Sequence, residues 1–375
     1  MAKKTPADRE PLDVGCITEQ TRRLNGILRQ RIIGQDRAMD ALTCAFARVF
    51  SPLRDPGRPI LTLLLLGPTG VGKTETARAL AQTLFGWEGA MTRVNCEEYA
   101  HGHEISKLLG SPPGYVGNNI EPLLSQRRID EADETAVAEG AGMVAERAHQ
   151  LGGQPAVSER RRISVVLFDE IEKAHPVLWN AMLGILEGGS LTLGDNSTTD
   201  FTGSIIVMTS NVGTREMTDI LQRRTLGFRN TDSPLAPEAT DLGQTALAAA
   251  REIFPLEFLN RFDDILVYST LARRQLERIF DKFLAGIHER ALRQACVPLL
   301  IKVSPESRNF ILDCGYDPTL GARPLRRAIE VELVDPLSRL LASKRINAGD
   351  VIEIEVEDDR LAFYCRPRVE SELIV

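Results

Sequence analysis

No two cysteines in this sequence stand at the spacing of a redox motif or a metal knuckle. The six, Cys16, Cys44, Cys96, Cys296, Cys314 and Cys365, are scattered, and no histidine falls at metal-ligand spacing beside them. A zinc framework is thereby excluded, and the pattern reads as reduced thiols in a cytoplasmic protein. Met1 to Glu10 lacks the apolar centre of a secretory signal. The longest apolar run, Ile60 to Leu66, is far too short to span a bilayer, so no membrane partner is expected. Positive charge is not in excess. Lys plus Arg is 45 against 52 Asp plus Glu, a formal net charge of −7. That argues against a general grip on nucleic-acid backbone and leaves only a local basic patch such as Arg160-Arg161-Arg162. No internal repeat is visible. What is present, 43% hydrophobic and 26% charged residues in 375, makes a folded chain of two or three domains with ample core.

Ile60–Leu66, Ser164–Phe168 and Ser204–Met208 are short apolar runs that each end in polar residues, and helical segments lie between them. Strands that read as continuous apolar runs belong to a parallel sheet covered on both faces, whose ligands bind at the carboxyl ends. The expected fold is therefore α/β with a doubly wound parallel sheet. Residues 1–30 read as a leader with one helix, Thr18 to Gln30. A large α/β domain is expected over 31–264, with an insert at about 118–163 rich in Ala, Glu and Arg. One or two exposed helices and a mobile loop are expected there. A small, mainly helical domain over 265–365 follows, before a tail at 366–375. It contains a long helical pattern from Leu271 to Gln294, a Ser304 N-cap before Pro305, and a helical stretch from Gly321 to Ser343 with a kink or break at Pro336. Ile352, Ile354 and Val356 alternate with glutamates, and Asp358-Asp359 turns that strand into a terminal β-hairpin with Leu361–Tyr364.

Gly67-Pro68-Thr69-Gly70-Val71-Gly72-Lys73-Thr74 follows the first apolar run and opens a helix. This is a phosphate-binding loop in its required context: glycines let successive N–H groups face a phosphate, and the helix N-terminus adds positive potential. Lys73 is expected to reach the β- and γ-phosphates of ATP, and Thr74 to coordinate Mg²⁺. The run Val165–Phe168 delivers Asp169 to the metal and Glu170 to an attacking water. Asn211, after the third run, could touch the γ-phosphate or that water, and equally well could be a turn residue.

Several long motifs in order now carry a resemblance. They are Arg31-Ile32-Ile33-Gly34-Gln35, the Gly67–Thr74 loop, Gly110-Ser111-Pro112-Pro113-Gly114-Tyr115-Val116-Gly117, and Phe168-Asp169-Glu170-Ile171-Glu172-Lys173-Ala174-His175-Pro176. Met208-Thr209-Ser210-Asn211, Pro255-Leu256-Glu257-Phe258-Leu259-Asn260-Arg261-Phe262-Asp263 and Gly321-Ala322-Arg323-Pro324-Leu325 complete the set. From about Arg31 to Cys365 the chain resembles the second ATPase module of Clp-family AAA+ unfoldases and disaggregases of the ClpB, ClpA and ClpC type. The resemblance implies an AAA+ P-loop NTPase fold, ATP and Mg²⁺ as cofactors, and ATP-dependent unfolding of protein substrates threaded through the pore of a homo-oligomeric, hexameric ring. It implies that Ile32, Ile33, Gly34 and Gln35 line the adenine pocket, that Asn211 is a first nucleotide sensor, that Arg261 reaches the ATP of a neighbouring subunit, and that Arg323 is a second sensor. It makes Tyr115 and Val116 a pore loop, although that stretch taken alone is an ordinary Pro-Gly turn. It also makes Leu226-Gly227-Phe228 a candidate docking tip for a Clp-type peptidase, the other reading being a staple that pins the loop to its own domain.

There are departures from the resembled pattern. Asn118-Asn119-Ile120-Glu121-Pro122 replaces an acidic, glycine-rich turn, the stretch to Ser164 is longer, and Ser197 stands where many relatives carry Arg. The first ATPase module, the N-domain and the middle domain have no counterpart, so a single-ring machine is expected. Two other classes stay open at this point: a nucleic-acid motor, and a regulator that uses ATP only to hold a ring together.

Overall fold

The computed structural model describes residues 18–49, 53–110, 121–150, 162–225, 239–295, 300–317, 320–346 and 349–366. The strands are β1 (Leu61–Leu66), β2 (Thr92–Asn95), β3 (Ser164–Asp169), β4 (Ser190–Thr192), β5 (Thr198–Asp200), β6 (Ser204–Ser210), β7 (Asp264–Val267), β8 (Leu300–Val303), β9 (Val351–Glu357) and β10 (Arg360–Arg366). The α-helices up to the end of the main sheet are α1 (Glu19–Arg31), α2 (Asp36–Phe46), α3 (Lys73–Phe85), α4 (Ile105–Leu109), α5 (Gln126–Glu139), α6 (Gly142–Gln150), α7 (Pro176–Gly188), α8 (Thr214–Thr225), α9 (Ala239–Ile253) and α10 (Leu256–Leu259). Beyond it come α11 (Arg273–Ala295), α12 (Pro305–Cys314), α13 (Arg323–Ile329) and α14 (Asp335–Ala342).

Five strands form a parallel sheet in the order β2-β3-β6-β1-β7. Every residue of β1, β3 and β6 is buried, and alternate residues point into two different cores. Leu61, Leu63 and Leu65 join one core with α1, α2 and α3, through Leu28, Leu42 and Leu80. Leu64 and Leu66 join the other with α7 and α10, through Met182 and Phe258. Burial on both sides explains why these strands read as unbroken apolar runs. Thr18 Oγ1 caps α1 by accepting from the Thr21 N–H at 3.2 Å. Leu24 and Leu28 of that helix are fully buried in the first core.

The insert differs from its expectation. Its helices α5 and α6 bury Ile129, Ala136, Met143 and Val144, and are not free-standing. Arg162, the end of the basic run, is spent on ion pairs to Asp130 at 2.6 Å and Glu134 at 2.9 Å. Arg160 and Arg161, Tyr115 and Val116, and Leu226, Gly227 and Phe228 lie outside the described residues.

After β7 comes the mainly helical region. Its Ser304 cap, with Pro305 in the first turn, is as expected. Pro336 does not break the helical stretch. One turn of π-helix, Glu330–Val334, precedes it and passes straight into α14. A proline lacks the N–H for an i−4 bond, and a widened turn accommodates that loss without a break. The hairpin β9–β10 turns on Asp358 and Asp359, both left-handed at φ 46° and 57°, as two-residue hairpins favour. A third strand, β8, pairs parallel with β9 and was not foreseen; only Ile301 of its four residues is buried, too little to make a pattern. Among the described residues no helix is long and apolar enough to cross a membrane.

Candidate functional site

The carboxyl ends of β1, β3 and β6 open on one cavity of about 490 Å³. β1 runs into the Gly67–Gly72 loop, and α3 starts at Lys73. The loop meets the C-terminal region backbone to backbone. A Cβ on Gly70 (φ +74°) would come 2.5 Å from the Leu320 carbonyl oxygen, and one on Gly321 (φ +61°) would come 2.6 Å from that of Thr69. The Ala322 N–H donates to the Gly70 carbonyl at 3.1 Å. This contact places the first turn of α13, and with it Arg323, on the cavity wall.

Lys73 is buried. Its Nζ donates to the carbonyls of Gly67 and Pro68 and to Asn211 Oδ1 at 2.9 Å. Burial pushes its ammonium down to about 8, while Glu172, Asp169 and Glu170 pull the other way. Asp169 closes β3. Its Oδ1 accepts from Thr74 Oγ1 at 3.0 Å and from Thr209 Oγ1 at 2.6 Å, and its Oδ2 pairs with Arg93 at 2.6 Å. One carboxylate beside a hydroxyl, with room for phosphate oxygens and water, is the hard oxygen set that Mg²⁺ takes in phosphate sites. Glu170, next along, has φ +60°. Its Oε1 accepts from Asn211 Nδ2 at 3.1 Å and its Oε2 pairs with Lys173 at 2.6 Å. Burial raises this carboxyl, but the hydrogen bonds from Lys173 and Asn211 outweigh it and hold the group below its ordinary range. It is therefore ionised at neutral pH, as a water-activating base must be.

Asn211 is more than a turn residue. Its side chain joins Lys73 and Thr69 on one oxygen to Glu170 through its nitrogen, and its backbone N–H donates to Glu172 Oε1 at 3.0 Å. Ile32 and Ile33 line the same cavity, with Leu271, Ile279 and Phe283. Gln35, in the same motif, instead clamps Ser269 by two backbone bonds of 2.8 and 2.9 Å. The structure thus brings together Ile32, Ile33, Thr69 to Thr74, Asp169, Glu170, Asn211 and Arg323. It does not bring in Arg261, which is held beside Glu187 at 3.0 Å and Glu257 at 3.6 Å, away from this cavity. Sequence reasoning missed Arg93, Thr209, Lys173 and Lys282. Thr209 and Lys173 lay inside motifs already singled out. Arg93 sits on a four-residue strand with one buried residue, which leaves no signal.

With this geometry, comparison with known proteins decides the family. The model for AAA domain (Cdc48 subfamily) matches residues 58–128 and 126–265, more than half of the chain. The chain belongs to the AAA family. In this AAA chain residues 271–354 match the C-terminal, D2-small domain of ClpB protein. The chain is 38% identical over 337 residues to Chaperone protein ClpB 1 of Synechococcus elongatus, which covers 90% of this chain and 33% of that protein. It is 38% identical to Chaperone protein ClpB of Gloeobacter violaceus, covering 92% of this chain and 34% of that one. The structure is similar to a closed-state cryo-EM reconstruction of Hsp104 with ATPγS and FITC casein, at TM-score 0.69 and 30% identity, over 92% of this chain and 52% of that one. The AAA chain therefore spans about a third of the length of the curated relatives it matches.

Proposed function

We propose that this chain is the ATPase of a protein-remodelling motor: it binds and hydrolyses ATP and drives polypeptides through the pore of a homo-oligomeric, hexameric ring in the cytoplasm. The observation that carries this reading is the convergence of Lys73, Asp169, Glu170 and Asn211 on one cavity, with Arg323 entering from the small region. Lys73 and the loop N–H groups hold the β- and γ-phosphates, and Ile32 and Ile33 pack on the base. Thr74 and Asp169 would hold Mg²⁺, which would neutralise phosphate charge there. Glu170 takes a proton from the attacking water, and Asn211 keeps that carboxylate and Lys73 in register. Arg261 serves the site of a neighbouring copy, a role its distance from this chain's own cavity supports. In this reading residues 31–264 form the large domain and 265–365 the lid. Tyr115 and Val116 grip the substrate, and Leu226-Gly227-Phe228 docks a Clp-type peptidase. The spent charge of Arg162 weighs against the nucleic-acid reading.

The test is ATP-dependent unfolding of a tagged fluorescent protein, with and without the host's Clp-type peptidase. Loss of fluorescence only with ATP is expected, together with degradation when peptidase is added. Hydrolysis without unfolding would leave only a ring-holding regulator. Mixing inactive Arg261→Ala and Glu170→Gln chains should restore some hydrolysis, and no recovery in proven mixed rings would place Arg261 outside the mechanism.

A further inference from the structure

Lys173 stands between two carboxylates. Its Nζ lies 2.6 Å from Glu170 Oε2 and 2.5 Å from Glu97 Oε1. Glu170 belongs to the nucleotide site. Glu97 does not: it sits on a single 3-10 turn, Cys96–Tyr99, that follows β2. This turn is tied to the chain just past Lys173, where the His175 N–H donates to the Tyr99 carbonyl at 2.9 Å. From there the chain passes through Gly102–Glu104 and α4 to Gly110. Lys173 is thus the bridge from the reacting end of the sheet to an element outside the cavity.

The two oxygens of Glu170 are held differently. Oε1 takes the Asn211 amide, and Asn211 is itself fixed by Lys73 and by Glu172 at its backbone. Oε2 takes Lys173, a side chain 39% exposed on a flexible stem. An ammonium in that setting can pass between carboxylates without being taken out of water. The charged groups around Glu170 are Asp169 at the end of β3, Lys173 on the turn after it, Lys73 and Glu172 reached through Asn211, and Arg93 and Arg323 on the same cavity wall. Lys173 is the one of these shared with the Glu97 turn.

Resting on the reading of this site as an ATPase coupled to polypeptide, we propose that Lys173 is a positioning residue that restrains Glu170 in the resting chain, and that Glu97 is the competing anchor through which an engaged polypeptide releases it. A carboxylate oxygen held by an ammonium is not free to turn toward water. Transfer of Lys173 to Glu97 leaves Glu170 free to turn.

The experiment measures hydrolysis at saturating ATP by the full chain, with and without unfolded casein, for the parent, Lys173→Met, Lys173→Arg and Glu97→Gln. All the altered side chains are solvent-exposed, and retained binding of a fluorescent ATP analogue verifies an intact fold. Lys173→Met should hydrolyse roughly two- to fivefold faster without casein, the scale of an exposed ion pair. Casein should add nothing to it. Glu97→Gln should keep the slow resting rate and lose most of the casein response, and Lys173→Arg should restore both behaviours. A Lys173→Met chain no faster than the parent, or stimulated by the same factor, overturns the proposal. A parent that casein does not stimulate overturns the part given to Glu97. A parent that hydrolyses no ATP rejects the underlying functional reading, an outcome separate from variants that simply match an active parent.

Discussion

In the five-stranded sheet, β1, β3 and β6 bury every residue, on both faces. In the three-stranded sheet β9 buries three of its seven and β10 none. The first sheet is clamped between two cores, so the residues at its carboxyl ends, Asp169, Glu170 and Asn211, are set by packing that the whole large region shares. The second is covered on one side, and the helices of its region reach the cavity through the middle of α11, at Ile279, Lys282 and Phe283, and through the start of α13, at Arg323. Lys282 makes that contact by donating to the Arg31 carbonyl at 2.8 Å. Chemistry sits on the doubly buried sheet, and adjustment of the cavity wall is left to the singly buried one.

That contrast can be broken at the site first. Glu170→Gln should keep ATP binding and lose hydrolysis by about 10²–10⁴-fold, the usual worth of a positioned base. Arg323→Ala, from the other region, should lose about 10- to 100-fold, the worth of a hydrogen bond to a charged group. Single-turnover rates on the two variants decide it, and equal losses would erase the distinction. The cores sharpen it next. Leu64→Ala, in mid-sheet and fully buried, should cost about 2–5 kcal/mol. Leu361→Ala, half-buried on β10, should cost less than about 2 kcal/mol. Urea unfolding measures both, and a reversed order would show that the small sheet is the better packed.

The smallest effect concerns Lys73. With burial holding its ammonium near 8, and with phosphate favouring the protonated form, ATP affinity should be flat below that pH. Above it affinity should fall, by at most about tenfold per pH unit. Titrations with a fluorescent nucleotide from about pH 7 to about pH 9.5 test this, and Lys73→Arg, which stays charged, should remove the slope. A slope that survives in Lys73→Arg belongs to another group.

Much of the large region was legible because burial on two faces writes a strand as an unbroken apolar run, and because the phosphate loop and the acids after β3 occupy fixed places at strand ends. β8 was not legible, since four residues with one buried side chain cannot show a period. Nor was the burial of α5 and α6, whose many Ala and Glu residues look solvent-facing until Ile129 and Met143 are seen packed. Within the site, the residues named from sequence are those that would touch nucleotide. The residues that hold them, Arg93 on Asp169 and Thr209 between Asp169 and the Glu170 amide at 3.0 Å, were not. Supporting side chains are chosen by tertiary neighbours, and nothing in their own local sequence records who those neighbours are.

The facing pair Gly70 and Gly321 has a consequence for how this chain tolerates change. With only peptide groups between the phosphate loop and the turn before α13, the spacing at this one contact is set by backbone geometry. Any side chain introduced at either position acts as a wedge. A single methyl group at 321 would press on the Thr69 and Gly70 carbonyls, tilt the turn and carry the Arg323 guanidinium with it, so that a change in spacing alone would be felt at the cavity wall.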